Sequence, residues 1–247
     1  MSAKDKLKFD SGPDMTPRDF VRKFHQTTTE LKFATVSIGF PSVVREGKIV
    51  KDRNISAKGW IGFNFSRALK KPTRVINDAA MQALGSHIRG RMLFLGLGTG
   101  LGAALVWSNN LLPLELGDLP YRDHRKIEDW LGIDGLERLG EKAWREEVLY
   151  CVTQLKLSFV ADTVVLGGGN VKKMKQLPHG VKRGDNRNAL SGGRRLWEID
   201  RKTEQPRWRI LSETVAHIVC FSQWPSQPSW SFQRARAAIL SARNVAK

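Results

Sequence analysis

The strongest constraint in this chain is a repeated punctuation: short apolar runs that each empty into glycine or a polar turn. Ala34–Phe40 stops at Pro41, and Thr73–Ile76 stops at Asn77-Asp78. Met92–Leu97 runs into Gly98-Thr99-Gly100, and Thr163–Leu166 runs into Gly167-Gly168-Gly169-Asn170. Apolar, often β-branched runs of that length, bounded by Gly and Pro, are buried strands. Helical segments lie between them. Thr16-Pro17 sets a capping Thr before a Pro at the first helical position. Phe20, Val21, Phe24 and Leu31 then fall near one face. Ala79–Leu84 is a second helix, closed by Gly85. Residues 125–160 carry Leu131, Leu136, Leu139, Trp144, Val148 and Leu155 at helical period. Val43–Lys51 reads as a hairpin around Glu46-Gly47, and Asp185–Trp197 as irregular. Strands alternating with helices, with glycine turns after the strands, predict an α/β fold whose ligand groups sit at the strands' carboxyl ends.

Composition excludes several classes. With 247 residues and 41% hydrophobic content, the chain can bury a sizeable core. Its most apolar stretch, Met92–Trp107, is interrupted by glycines and a threonine, and Met1–Asp10 is polar and charged. Neither a membrane span nor a signal peptide is expected, and the protein is read as cytoplasmic. Cys151 and Cys220 are far apart, and His25, His87, His124, His179 and His217 show no ligand spacing, so no metal site made by the chain itself is expected. The net charge of +17 fits either a basic surface or a polyanionic partner; it bears on encounter rather than fold. After residue 200, Gln205-Pro206, Trp224-Pro225 and Gln227-Pro228 interrupt any long element, leaving Phe232–Val245 as a candidate helix. Tryptophans and cations in that tail could stack on and neutralise a nucleic acid. Untuned basic sequence explains them as well, and nucleic acid is not expected as a partner.

Four constellations could carry chemistry. Gly98-Thr99-Gly100-Leu101-Gly102 leaves the backbone bare, so its amides could hold a phosphate; it could equally be a tight hairpin turn. Asp78, at a strand end before a helix, is either an N-cap or a general base able to orient a hydroxyl and take its proton. Glu115-Leu116-Gly117-Asp118 is a solvated loop or a pair of carboxylates for neighbouring sugar hydroxyls. Gly167-Gly168-Gly169 is a turn, or a place where a ligand approaches the backbone.

Taken in order, Ile38-Gly39-Phe40-Pro41, Asn77-Asp78-Ala79, Gly98-Thr99-Gly100-Leu101-Gly102, Glu115-Leu116-Gly117 and Gly167-Gly168-Gly169 resemble the sugar kinases of the ROK family, above all its polyphosphate-dependent glucokinases. The likeness runs from Phe9 to Glu198. It implies an actin-like (ribonuclease-H-like) fold of two lobes with sugar and donor meeting in the cleft. The implied reaction moves a phosphoryl group from polyphosphate or ATP to the 6-hydroxyl of glucose or a similar hexose. Asp78 would be the base, and Asn77, Glu115, Asp118 and Asn54 would face the sugar. Gly98, Thr99, Gly100 and Gly102 would cradle donor phosphates, Gly168 and Gly169 would lie against adenosine, and Mg²⁺ would neutralise the phosphates. A homodimer is implied as well.

The chain departs from that pattern in three places. The Asp-x-Gly-Gly-Thr phosphate loop that opens the family is missing; the stretch from Lys4 can supply only a third strand, so the first lobe is expected to be incomplete. Asp118 stands where the family has His, and nothing from Gln205 onward resembles the family. The expected organisation is an incomplete N-terminal lobe at 1–75, a lobe with the phosphate and sugar motifs at 76–200, and a divergent basic tail at 201–247. Turnover is expected to be low or absent without the first loop, and the alternative is a non-catalytic relative that binds only sugar or polyanion.

Overall fold

The computed structural model describes residue 9, residues 12–51 and residues 56–211. Aromatic side chains organise its first part, which contains α1 (Pro17–Thr28), β1 (Val36–Phe40), β2 (Val43–Arg45), β3 (Lys48–Lys51), α2 (Phe65–Leu69) and β4 (Thr73–Asn77). Thr16 caps α1, its Oγ1 accepting from the Asp19 N–H at 3.1 Å, with Pro17 in the first turn. β2 and β3 form an antiparallel hairpin, turned by Glu46 and Gly47 at positive φ of 49° and 69°. β1 and β4 pair in parallel, from Val36 opposite Thr73 to Phe40 opposite Asn77. Phe40, Trp60, Phe65, Ile49 and Val75 are buried together, with Phe20 and Phe63 packed against them. Trp60 stacks on Phe65 with centroids 5.8 Å apart, and its indole N–H donates to the Met15 carbonyl at 2.9 Å.

The second part begins with α3 (Asp78–Ser86) and continues through β5 (Met92–Leu97), β6 (Leu101–Trp107), β7 (Asn110–Leu114), α4 (Glu128–Leu131), α5 (Ile133–Ser158), β8 (Thr163–Gly167), β9 (Val181–Arg183), α6 (Asn188–Arg195) and β10 (Arg209–Ile210). A six-stranded mixed sheet has the order β10-β7-β6-β5-β8-β9. The period of two divides its side chains between two cores. Leu93, Leu95, Leu97, Ala103 and Leu105 face α5, where Trp144, Val148, Val152 and Leu155 are buried. Met92, Phe94, Ala104 and Val106 face α3, with its Ala79, Ala80, Ala83 and Leu84. The described residues include no helix long and apolar enough to cross a membrane.

Several expectations are corrected. Asp185–Trp197, read as irregular, contains α6. Its glycines do not break the helix; they form the surface on which it meets α3. A Cβ at Gly192 would fall 1.9 Å from the Met81 carbonyl oxygen, and one at Gly85 would fall 1.8 Å from that of Asn188. Only bare backbone allows two helices so close. Residues 125–160 are not one helix: Gly132 is extended between α4 and α5, and Gly140 interrupts α5 at φ 72°. β9 and β10 are edge strands too short to show a period, and Trp208 and Ile210 pack against the α3-side core, so the main sheet continues past residue 200. Phe232–Val245 and the strand expected from Lys4 lie outside the described residues.

α6 also ties the parts together. The Arg195 guanidinium donates to the carbonyls of Leu84 and His87 at 2.6 and 2.7 Å, capping the end of α3. The Trp197 indole N–H donates to Ser37 Oγ at 2.8 Å, and Ser37 Oγ donates to the Gly193 carbonyl at 2.6 Å, which links α6 to β1. Gly192→Ala is therefore expected to cost about 1–3 kcal/mol in urea unfolding, the range for forcing atoms into a packed contact. Gly98→Ala, with nothing within 4 Å of the added carbon, is expected to change stability by less than about 0.5 kcal/mol. Equal midpoints for the two variants would show that the α3–α6 contact has slack.

Candidate active site

The junction of β4 and α3 shows which side chain caps the helix. Asn77 is the cap: its Oδ1 accepts from the N–H groups of Ala79 and Ala80 at 2.9 and 3.1 Å, and its Nδ2 donates to the Ser42 carbonyl at 3.2 Å. Asp78 is thereby set in the first turn, half-buried, with Oδ1 2.8 Å from the Ala79 N–H. Burial raises its pKa above the ordinary carboxylate value, against the lowering effect of the Ala79 and Asp78 backbone N–H groups. A carboxylate in that condition takes up a proton more readily than one in water.

Gly98–Gly102 joins two antiparallel strands, as its hairpin alternative required, and its members divide by surroundings. Gly98 opens on empty space. Its N–H donates to the Gly100 carbonyl at 3.2 Å. Thr99 is exposed, and its carbonyl accepts from the Ile133 N–H at 3.2 Å. A Cβ at Gly102 would meet Ala79 Cβ at 2.7 Å, so this glycine admits the start of α3 against β6. A Cβ at Gly100 would lie 2.7 Å from Glu128 Oε2, and one at Gly117 would lie 2.8 Å from the same oxygen. Glu128 thus places a carboxylate between the hairpin turn and the Glu115-Leu116-Gly117 turn. Sequence reasoning missed it, because an acid in the first turn of a helix is ordinary and its setting depends on two distant glycines.

Glu115 is exposed at the start of a 3₁₀ turn, Leu116–Asp118. Asp118 Oδ1 accepts from Lys126 Nζ at 2.8 Å, and the same ammonium lies 3.8 Å from Glu128 Oε1. The second glycine loop also divides. Gly168, at φ 85°, presses on the Leu97 backbone, where a Cβ would sit 2.3 Å from its carbonyl oxygen, while Gly169 opens on empty space. Asn170 Nδ2 donates to the Gly98 carbonyl at 3.1 Å and so pins the two glycine loops together. Ala79, next to Asp78, meets Gly102 of the hairpin, and Glu128 Oε2 lies beside both Gly100 and Gly117. Asn54 lies outside the described residues.

Residues 15–113 match the ROK family. The chain is similar to the polyphosphate glucokinase of Mycobacterium leprae (strain TN), at 23% identity over 155 residues, a match that takes in 57% of this chain and 47% of that protein, so it spans about half the length of that relative. Among solved structures it is similar to the inorganic polyphosphate/ATP-glucomannokinase of Arthrobacter sp. strain KM, with TM-score 0.63, 23% identity and coverage of 77% of this chain and 88% of that one. The ROK family glucokinase of Streptomyces griseus, solved with glucose and AMPPNP, matches with TM-score 0.57, 14% identity and coverage of 78% and 92%. These likenesses show the fold, which is mixed α/β and actin-like.

The Asp78 environment can be tested by stability alone. Its folded-state pKa is raised, so the ionised carboxyl weakens the fold above that pKa, and the penalty disappears as pH falls through it. Asp78→Asn is expected to raise the Tm at pH 8, and the gain should shrink steadily as the pH is lowered into the acid range. A gain independent of pH would mean that the charge is not what costs stability.

Proposed function

We propose that this chain belongs to a hexose kinase of the ROK family, which moves a phosphoryl group from inorganic polyphosphate or ATP to the 6-hydroxyl of glucose or a similar hexose. The observation that carries this reading is Asp78: a half-buried carboxyl of raised pKa at a helix start, released from capping by Asn77. Such a group can accept a hydroxyl's proton while the oxygen attacks a phosphorus. In that step the new bond joins the sugar O6 to the terminal phosphorus, and the bond to the bridging oxygen of the donor breaks. The shortened donor leaves with the electron pair, and the proton passes to an Asp78 oxygen.

The other residues divide between the two substrates. Glu128 and Glu115 offer acceptors for sugar hydroxyls, and the second N–H of Asn77 Nδ2 is a donor for another. Gly98 and Gly169 present bare backbone to space, as a phosphate chain or an adenosine requires. The described residues hold no group of three or more His, Cys, Asp or Glu that could bind a metal. A Mg²⁺ that arrives on the donor phosphates would need at most one or two protein carboxylates to help hold it. When bound, it would neutralise phosphate charge.

Polyphosphate is favoured as a donor by the segment that follows Gly169. Residues 171–183 contain Lys172, Lys173, Lys175, Lys182 and Arg183 and no acid. The names of the Mycobacterium and Arthrobacter relatives carry the same donor.

The test is glucose 6-phosphate formation by the purified full chain with Mg²⁺ and either donor. Asp78→Asn is expected to lower kcat roughly 10²–10⁴-fold, the usual worth of a general base, with the KM for glucose little changed. Raising the salt concentration is expected to increase the KM for polyphosphate more than that for ATP, because a polyanion held by many cations loses more to screening. Folded protein that forms no product with either donor would remove the kinase reading.

A further inference from the structure

We infer that Lys126 is a positioning residue for the sugar: its ammonium holds Glu128 in the orientation that presents a carboxylate oxygen between the two glycine turns. Four observations combine here. Glu128 divides its oxygens, Oε2 lying in the space beside Gly100 and Gly117 while Oε1 is 3.8 Å from Lys126 Nζ. The same ammonium is 2.8 Å from Asp118 Oδ1, so one cation serves two carboxylates that would otherwise repel each other across the turn. Asp118 stands at one of the places where the chain departs from the pattern it resembles, and there it supplies Lys126 with a partner. Finally, the Lys126 backbone is held on both sides. Its N–H donates to Asp129 Oδ2 at 2.9 Å, Pro120 and Lys126 form an isolated bridge, and the Ile127 N–H donates to the Leu119 carbonyl at 2.9 Å.

Exposure separates orientation from stability. The side chains of Lys126, Asp118 and Glu128 are 50%, 34% and 28% exposed, so these pairs lie in water-accessible surroundings. Ion pairs of that kind contribute little to folding. An acceptor aimed at a ligand hydroxyl is different, since a charge-assisted hydrogen bond to a bound sugar is lost when the carboxylate swings into solvent. Removal of the Lys126 charge therefore acts on sugar affinity and leaves the fold and the donor alone.

This inference rests on the assignment of Glu128 to the sugar, and glucose titration by calorimetry tests the two separately. Wild-type protein is expected to bind glucose, Lys126→Met to bind it about tenfold more weakly, as loss of one charge-assisted hydrogen bond predicts, and Lys126→Arg to recover most of the affinity. Kinetically, Lys126→Met is expected to raise the KM for glucose, with kcat and the KM for donor within about twofold, at an unchanged Tm. Unchanged glucose affinity in Lys126→Met would overturn the positioning role and leave the kinase reading standing. Equal loss in the Met and Arg variants would also overturn it, since charge would not be the cause. A wild-type chain that binds no glucose would remove the sugar site itself, and the role of Lys126 with it.

Discussion

The first turn of α3 is placed by backbone contacts that leave no room for adjustment. On one side Gly102 of β6 receives Ala79; on the other, Gly192 of α6 meets the Met81 carbonyl, and Gly85 of α3 meets that of Asn188. A helix held by flexible side chains can shift as they change rotamer. One held by glycine against backbone has little such freedom. Arg195 then fixes the far end by capping Leu84 and His87, and Asn77 fixes the near end. The position of the Asp78 carboxyl follows from these contacts, so the candidate chemistry depends on the packing of one short helix.

Around that helix the site is assembled from loops whose ends are determined by strands. β5 and β6 deliver the hairpin turn, β8 delivers Gly168 and Gly169, and Asn170 closes the gap between the two loops through the Gly98 carbonyl. Glu128 reaches the same region from the start of α4, and Lys126 reaches it from the neck of the preceding loop. Each group arrives from a different part of the chain, which is usual where a rigid sheet supports loops that bind.

What the sequence disclosed follows from this division. The strands β1 to β5 and β8 and the turns behind them were legible because Gly, Pro and Asn act on the backbone where they stand, whereas β7, which starts at the turn residue Asn110, was not. α6 was not legible, because Gly192 and Gly193 disfavour a helix locally and the gain that outweighs this comes from a helix distant in sequence. β9 and β10 were too short to show alternation. In the site, the type of Asp78 was readable, whereas the assignment of the cap to Asn77 required hydrogen bonds. Gly102 and Gly168 were read as ligand cradles, and the structure gives each a packing reason: Ala79 for one, the Leu97 backbone for the other. Glu128 and Lys126 could not be found from spacing, since their significance lies in what folds beside them.

The glycine-lined contacts of α3 have an evolutionary consequence. A glycine codon is a single base change from an alanine codon, and at Gly85 or Gly192 that change would drive a methyl group into a carbonyl. Selection for a folded chain alone is enough to preserve those glycines, whether or not the protein turns over a substrate. A descendant that had lost its chemistry would keep them and be free to drift at Asp78. Among related genes, the fate of that carboxylate is therefore a better marker of an active enzyme than the glycine pattern that announces the fold.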